Sequence, residues 1–106
     1  KEAGVDPAVV REALSGGFAS SRILELHGQR MVEGNFVPGG RCTTQRKDMD
    51  QAEEFGQSLG LALPLTSAVR RMYDSLIAEG CGDLDHSALI KVINGEVPHG
   101  GVESAA

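Results

Sequence analysis

Short amphipathic stretches separated by glycine and proline run along most of the chain, a pattern typical of a helical protein. The first stretch starts at Asp6, which can serve as an N-cap, and places Pro7 in the first helical position. It ends at Gly16. A second stretch runs from residue 20 or 21 to Gly34, again with apolar residues at helical spacing. These patterns predict two consecutive helices.

The same pattern continues through the second half of the chain. A third helix is predicted from near Thr44, where one of two adjacent threonines can act as N-cap, to Gly60. A fourth runs from Pro64 to Gly80, and Asp85 can cap a short fifth. Strand-like alternation of any length is missing from the sequence. We therefore predict an all-α fold, a compact bundle of about five helices.

Composition limits the size and make-up of the core. With 106 residues the chain can form one domain, and its aromatic content of 4% leaves aliphatic residues to fill the interior. We expect residues 1–94 to form the bundle and 95–106 to form a disordered tail. Because the chain begins without Met, we expect a fragment of a longer protein. The predicted core comprises Leu24, Phe55, Val69, Met72, Leu76 and Leu89.

Charge and cysteine content exclude several classes of function. The net charge is −5, and no basic stripe with interleaved aromatics appears, which argues against a nucleic-acid partner. No apolar run is long enough to span a membrane. Cys42 and Cys81 lie far apart, without histidines at metal-ligand spacing, so we expect reduced thiols, a cytoplasmic protein and no metal site.

One local feature stands out against the acidic background. Arg41, Arg46 and Lys47 gather at the predicted start of the third helix, where cations oppose the helix macrodipole. On the sequence alone, an exposed lysine paired with Asp50 or Gln51 is the ordinary explanation, and an anion site is the alternative. The three single histidines are expected at the surface or at a helix terminus, and the adjacent carboxylates at 53 and 54 are expected on a solvated face.

Several short elements follow one another in a set order along the chain: Phe36, Pro38-Gly39, Lys47-Asp48-Met49, Gly60, Pro64-Leu65, Tyr73, Gly80, Gly82 and Asp85. This order, over about residues 4 to 93, resembles the C-terminal domain of the β-hydroxyacid dehydrogenases. That family includes 3-hydroxyisobutyrate dehydrogenase and tartronate semialdehyde reductase, and its C-terminal domain is all-α, like that of 6-phosphogluconate dehydrogenase.

The resemblance implies an enzyme of two domains, of which this chain is the second. A Rossmann domain would precede it and hold most of the NAD or NADP, and its details would decide between the two cofactors. The catalytic lysine and asparagine would lie on a connecting helix before this chain, so no catalytic residue is assigned here and the fragment alone should be inactive. The substrate would be a small β-hydroxy acid or its semialdehyde, and the enzyme would be a homo-oligomer.

The resemblance also implies roles for individual residues. Lys47 matches the family lysine that contacts the nicotinamide cofactor, and Asp48 is structural, in the first turn of its helix. Gly40 stands where the family usually has Phe, and Arg22 where some members have Trp, so both are candidates for substrate binding. The alternative is a helical interaction module that kept the fold and lost catalysis, since fold does not fix function.

Overall fold

All regular secondary structure in the computed structural model, which describes residues 1–98, is helical. The all-α prediction is therefore confirmed. The chain forms two compact units, residues 1–36 and the part that begins at Val37. No helix in the described part combines the length and apolar character that crossing a membrane requires. The division of the chain into a domain and a tail stays a prediction.

Residues 1–36 form a helical hairpin of α1 (Pro7–Ser15) and α2 (Arg22–Glu33). Asp6 caps α1 by accepting a hydrogen bond from the backbone N–H of Ala8, and Ser21 caps α2 in the same way. Arg11 extends from α1 and donates to the backbone carbonyl of Glu25 at 2.8 Å. Both helices begin and end close to the predicted positions because the capping signals are local.

The second unit is built on two longer helices, α3 (Cys42–Ser58) and α4 (Pro64–Ala78). A 3-10 helix, His86–Leu89, follows them and continues directly into the single turn of α5 (Ile90–Ile93). Gly60 and Gly80, just beyond the ends of α3 and α4, adopt positive φ angles of 72° and 82°. These are left-handed conformations that favour glycine and stop a helix from continuing.

The core of this unit lies where α3 begins, at the C-terminal half of α4 and along the 3-10 helix and α5. Its buried apolar side chains are Cys42, Tyr73, Leu76, Ala88, Val92 and Val97. Of the predicted core, Leu76 is fully buried. Phe55 was placed there wrongly: it is 67% exposed, because the C-terminal half of α3 turns that face to solvent. Leu24, Val69, Met72 and Leu89 are half-buried.

The chain after α5 folds back on the helix that precedes it. The backbone N–H groups of Glu96 and Val97 both donate to the carbonyl of Lys91, at 2.8 and 3.1 Å. Val97 is 6% exposed and belongs to the core. The remainder of the predicted tail, residues 99–106, lies outside the described residues, and so does His99.

Candidate functional site

The start of α3 is satisfied by backbone groups of the segment 81–85, not by a side chain. Arg41 is the N-cap residue and makes no side-chain capping bond. The N–H of Cys42 donates to the carbonyl of Leu84 at 2.9 Å, and the N–H of Thr43 to that of Gly82 at 3.1 Å. The predicted threonine cap is wrong, since α3 begins two residues earlier and distant carbonyls accept its first N–H groups.

Lys47 lies in the second turn of α3, as its sixth residue. Its side chain is 62% exposed, and its Nζ lies 3.6 Å from Oδ1 of the equally exposed Asp48. The prediction of a first-turn position is wrong for both residues, because α3 begins at Cys42. The effect of the helix macrodipole falls off within the first turn. Its unfavourable interaction with the charge of Lys47 is therefore weaker than the sequence indicated.

Arg46 belongs to the contact between α3 and α4. Its Nε donates to Oδ1 of Asp74 at 2.8 Å, and its Nη1 lies 3.9 Å from Oδ2 of Asp50. The hydrogen bond to Asp74, with the charge of that carboxylate, raises the pKa of the guanidinium. The basic cluster therefore divides: Arg46 is held between carboxylates, whereas Lys47 extends into solvent.

The loop at 38–40, which precedes α3 in the chain, is held by one carboxylate. Oδ1 of Asp85 accepts the backbone N–H groups of Gly39 and Gly40, at 3.0 and 3.2 Å. Oδ2 accepts the N–H of Ser87 at 3.0 Å and also the Ser87 hydroxyl. Asp85 is fully buried, which by itself raises the pKa of a carboxyl, but these hydrogen bonds outweigh burial and hold its pKa far below the ordinary value.

Two further buried side chains contact the same segment. The Cys42 thiol donates to the carbonyl of Asp85 at 3.4 Å, and the Tyr73 hydroxyl donates to the carbonyl of His86 at 2.8 Å. Burial raises the pKa of both groups, that of Cys42 to about 11, with the negative charge of Asp85 adding to the rise. Both side chains are therefore neutral at pH 7, and Cys42 is a thiol and not a nucleophilic thiolate.

Gly40 packs against the ring of His86. A Cβ at this glycine would lie 3.1 Å from Cδ2 of the imidazole, and the N–H of His86 donates to the Gly40 carbonyl at 2.7 Å. His86 is the first residue of the 3-10 helix, in agreement with the expectation of a surface or helix-terminus histidine; it is half-buried and lies beside the loop. A histidine ring thus fills the space next to the position where the resemblance gives Phe.

Arg22 belongs to the other unit, at the first position of α2. Its Nη1 lies 3.3 Å from Oε1 of Glu25, and both side chains are largely exposed, at 73% and 60%. The structure therefore brings Gly40 and Lys47 into one unit and describes Arg22 in the other.

A groove of about 450 Å³ lies at the turn between α3 and α4 and contains none of the predicted site residues. Glu53, on its wall, is 12% exposed and lies 3.1 Å from Nε of Arg70. The Ser67 hydroxyl and then Arg70 lower the pKa of this carboxyl. The prediction of a solvated face is wrong for Glu53, whose carboxylate is paired with Arg70. Because the groove contains none of the predicted site residues, we take the loop at 38–40 and Lys47 as the better candidate site.

Comparison with known proteins decides the family. A family model described as the NAD-binding domain of NADP-dependent 3-hydroxyisobutyrate dehydrogenase matches residues 1–93. The chain belongs to this family. It is 45% identical over 92 residues to 2-hydroxy-3-oxopropionate reductase of Escherichia coli, a match that covers 87% of the chain and 32% of the relative. It is 37% identical over 89 residues to a probable 3-hydroxyisobutyrate dehydrogenase-like protein of Arabidopsis thaliana, covering 84% of the chain and 27% of the relative.

A solved structure agrees with the family assignment. The crystal structure of a 3-hydroxyisobutyrate dehydrogenase from Salmonella typhimurium matches with a TM-score of 0.81 at 27% identity, covering 86% of the chain and 32% of that protein. The chain thus spans about a third of the length of these relatives. The resemblance inferred from the order of motifs is confirmed.

The start of α3 and the adjoining glycine loop offer a nicotinamide cofactor few free N–H groups. A dinucleotide is usually held by free N–H groups at a helix N-terminus. At the start of α3 the N–H groups of Cys42 and Thr43 are already bonded to carbonyls, and those of Gly39 and Gly40 to Asp85. The ammonium of Lys47, which is 62% exposed, is chemically suited to an anionic group of such a cofactor.

Proposed function

We propose that the chain is the C-terminal domain of an NAD(P)-dependent oxidoreductase that acts on a small β-hydroxy acid or its semialdehyde. Family membership and the dehydrogenase and reductase names of its relatives support this. In this proposal the residues that carry the reaction lie outside the chain, and the chain alone is inactive. The cofactor supplies or accepts the hydride, while this domain completes the cleft around it.

The exposed ammonium of Lys47 is the observation that carries the proposal. Its partner within the chain is the neighbouring Asp48, at 3.6 Å and more than half exposed. Ion pairs of this kind contribute about 0–1 kcal/mol, so the lysine can exchange this partner for an anion at little cost. Lys47 would contact the bound cofactor beside the substrate, where a cation helps to hold the phosphates or a substrate carboxylate in a closed cleft.

Gly40 and Arg22 are the proposed substrate contacts. Without a side chain at 40, the wall of the pocket would be formed by the loop backbone and the adjoining His86 ring, leaving more room than a phenylalanine would. Arg22 would bind a substrate carboxylate bidentately, releasing its exposed partner Glu25 to do so. Both roles suit a short, polar substrate with one carboxylate.

The remaining parts of the proposal concern the whole enzyme. Either NAD or NADP serves as cofactor, and the choice belongs to residues outside this chain. We propose a homo-oligomer in the cytoplasm; the two free thiols, Cys42 and Cys81, are in keeping with a reducing compartment.

The test uses the full-length protein that carries this chain. NADH and NADPH oxidation is followed with a panel of three- and four-carbon semialdehyde acids, first for the wild type and then for Lys47→Ala. We expect the substitution to lower kcat/KM about tenfold to a hundredfold, as loss of one charge-assisted contact does, with the thermal midpoint unchanged.

Arg41→Ala is the matched control. It removes the same charge from an exposed side chain that makes no capping bond, six residues from Lys47. Arg46→Ala is unsuitable, because it breaks the bond to Asp74. Equal losses in the Lys47 and Arg41 variants would mean a diffuse basic patch and overturn the specific role of Lys47. A wild type without turnover on the panel would favour the non-catalytic interaction module.

A further inference from the structure

The loop at 38–40 has an unusual means of support. It contains two consecutive glycines, so at these positions no side chain can pack into the protein and fix the backbone. Its position depends on main-chain hydrogen bonds: two N–H groups to Oδ1 of Asp85, and the Gly40 carbonyl to the N–H of His86 at 2.7 Å. Asp85 lies 45 residues from the loop in sequence and is fully buried.

The two oxygens of Asp85 have separate partners. Oδ1 accepts the N–H groups of Gly39 and Gly40, at 3.0 and 3.2 Å. Oδ2 accepts from the N–H and hydroxyl of Ser87 and thereby caps the 3-10 helix. A capping role alone needs one oxygen, which Asn or Ser supplies as well as Asp. The carboxylate supplies a second oxygen, Oδ1, and this oxygen binds the loop.

We propose that Asp85 is a positioning residue for substrate: its Oδ1 fixes the backbone of Gly39 and Gly40 where the substrate is bound. This role rests on the proposed function, in which Gly40 lines the substrate pocket. A fixed loop presents the same wall to every substrate molecule, whereas a released loop has to be ordered at each binding event. Asp85 does not touch the substrate and acts only through the loop.

Asp85→Asn separates the two duties of the carboxylate. The amide oxygen can keep the cap on Ser87, because Asn is a good N-cap, and the amide NH₂ then faces the loop N–H groups, to which it cannot act as acceptor. Asp85→Ser likewise keeps a cap and leaves no oxygen for the loop. We therefore expect both variants to fold and to release the loop.

The experiment measures steady-state kinetics and hydrogen exchange in the full-length enzyme. In both Asp85 variants we expect KM for the hydroxy acid or semialdehyde to rise about tenfold or more, kcat to stay within about threefold, and KM for the cofactor to be unchanged. Amide hydrogen exchange in a peptide that covers residues 37–41 should become faster. If Asp85 had a purely structural role, its substitution would lower the thermal midpoint and would not raise the substrate KM selectively.

Ser87→Ala is the matched control, since it removes one donor to Oδ2 and leaves both loop bonds in place. We expect a lower thermal midpoint and an unchanged KM. The proposal is overturned if the Asp85 variants keep the wild-type KM, or if Ser87→Ala raises KM to the same extent. A wild type without turnover would overturn the proposed function together with this role, whereas wild-type turnover with unchanged Asp85 variants would overturn only this role.

Discussion

Alkaline pH should destabilise the second unit through one buried thiol. Cys42, the first residue of α3, is fully buried, and its thiol donates to the carbonyl of Asp85 at 3.4 Å. A thiolate at this place would have no solvent and would face the negative charge of Asp85. Burial first, and then that charge, raise the pKa of Cys42 from its ordinary value of 9.0 to about 11.

The size of the effect follows from the difference between the two pKa values. Below pH 9 the thiol is protonated in both states, so the stability is intact. As the pH rises the unfolded chain ionises first, and the free energy of unfolding falls until the folded thiol ionises as well. Linkage gives a loss of about 1 kcal/mol at pH 10 and about 3 kcal/mol above pH 11. Tyr73, with its pKa also raised by burial, adds to the loss above pH 10.

Urea unfolding followed by circular dichroism at about pH 8 and pH 10 measures the loss. The wild type is compared with Cys42→Ala, which removes the titrating thiol, and with Cys81→Ala, which removes a half-buried thiol. Cys42→Ala starts less stable, because it leaves a small cavity, but should lose less stability between the two pH values. Cys81→Ala should keep most of the wild-type loss, because burial of Cys42, the largest cause of its raised pKa, is unchanged in this variant. A Cys42→Ala variant with the full wild-type loss would refute the reasoning.

Two further predictions concern packing and association. Leu76→Ala should lower the free energy of unfolding by about 2–5 kcal/mol, because Leu76 is fully buried. Phe55→Ala should lower it by less than about 1 kcal/mol, because Phe55 is 67% exposed. Denaturant unfolding of both variants tests this, and equal losses would contradict the assigned core. The 106-residue chain, which exposes many large apolar side chains, should self-associate; light scattering that gives the monomer mass at every concentration would contradict this.

The sequence predicted the helices well because their signals are local. Asp6 and Ser21 each cap the helix that follows, and Pro64 opens α4 as expected. The error at α3 has the opposite cause. Its first N–H groups bond to carbonyls about 40 residues away, and no local pattern reports such a partner, so the threonines were the nearest available cap in the sequence.

The error in the predicted core, at Phe55, has a related reason. Helical periodicity shows which residues share a face, but it does not show where along the helix that face becomes covered. Phe55 shares a face with other apolar residues of α3 and is nevertheless exposed, while Cys42, at the start of the same helix, is fully buried. Burial in this unit is set by the segment 81–97, which packs at one end of the α3–α4 pair.

Only part of the candidate site could be predicted from the sequence, for the same physical reason. Lys47 could be selected because it is a cation in an acidic chain and matches the family pattern. Asp85 could be selected as a cap, since Asp followed two residues later by Ser is a local hydrogen-bonding motif. Its hydrogen bonds to the N–H groups of Gly39 and Gly40 join residues that are 46 and 45 positions apart. A single sequence gives no local signal for such distant contacts.

These contacts give a physical reason for two elements of the motif series on which the resemblance rests. The carbonyl of Gly82 accepts a hydrogen bond from the N–H of Thr43. A Cβ at position 82 would lie 2.9 Å from Cγ2 of that threonine, so a larger residue would push the start of α3 away. Asp85 holds the loop at 38–40 from the same segment. A change at either position would therefore shift the start of α3 or the glycine loop, and with them the backbone that presents Lys47 and Gly40.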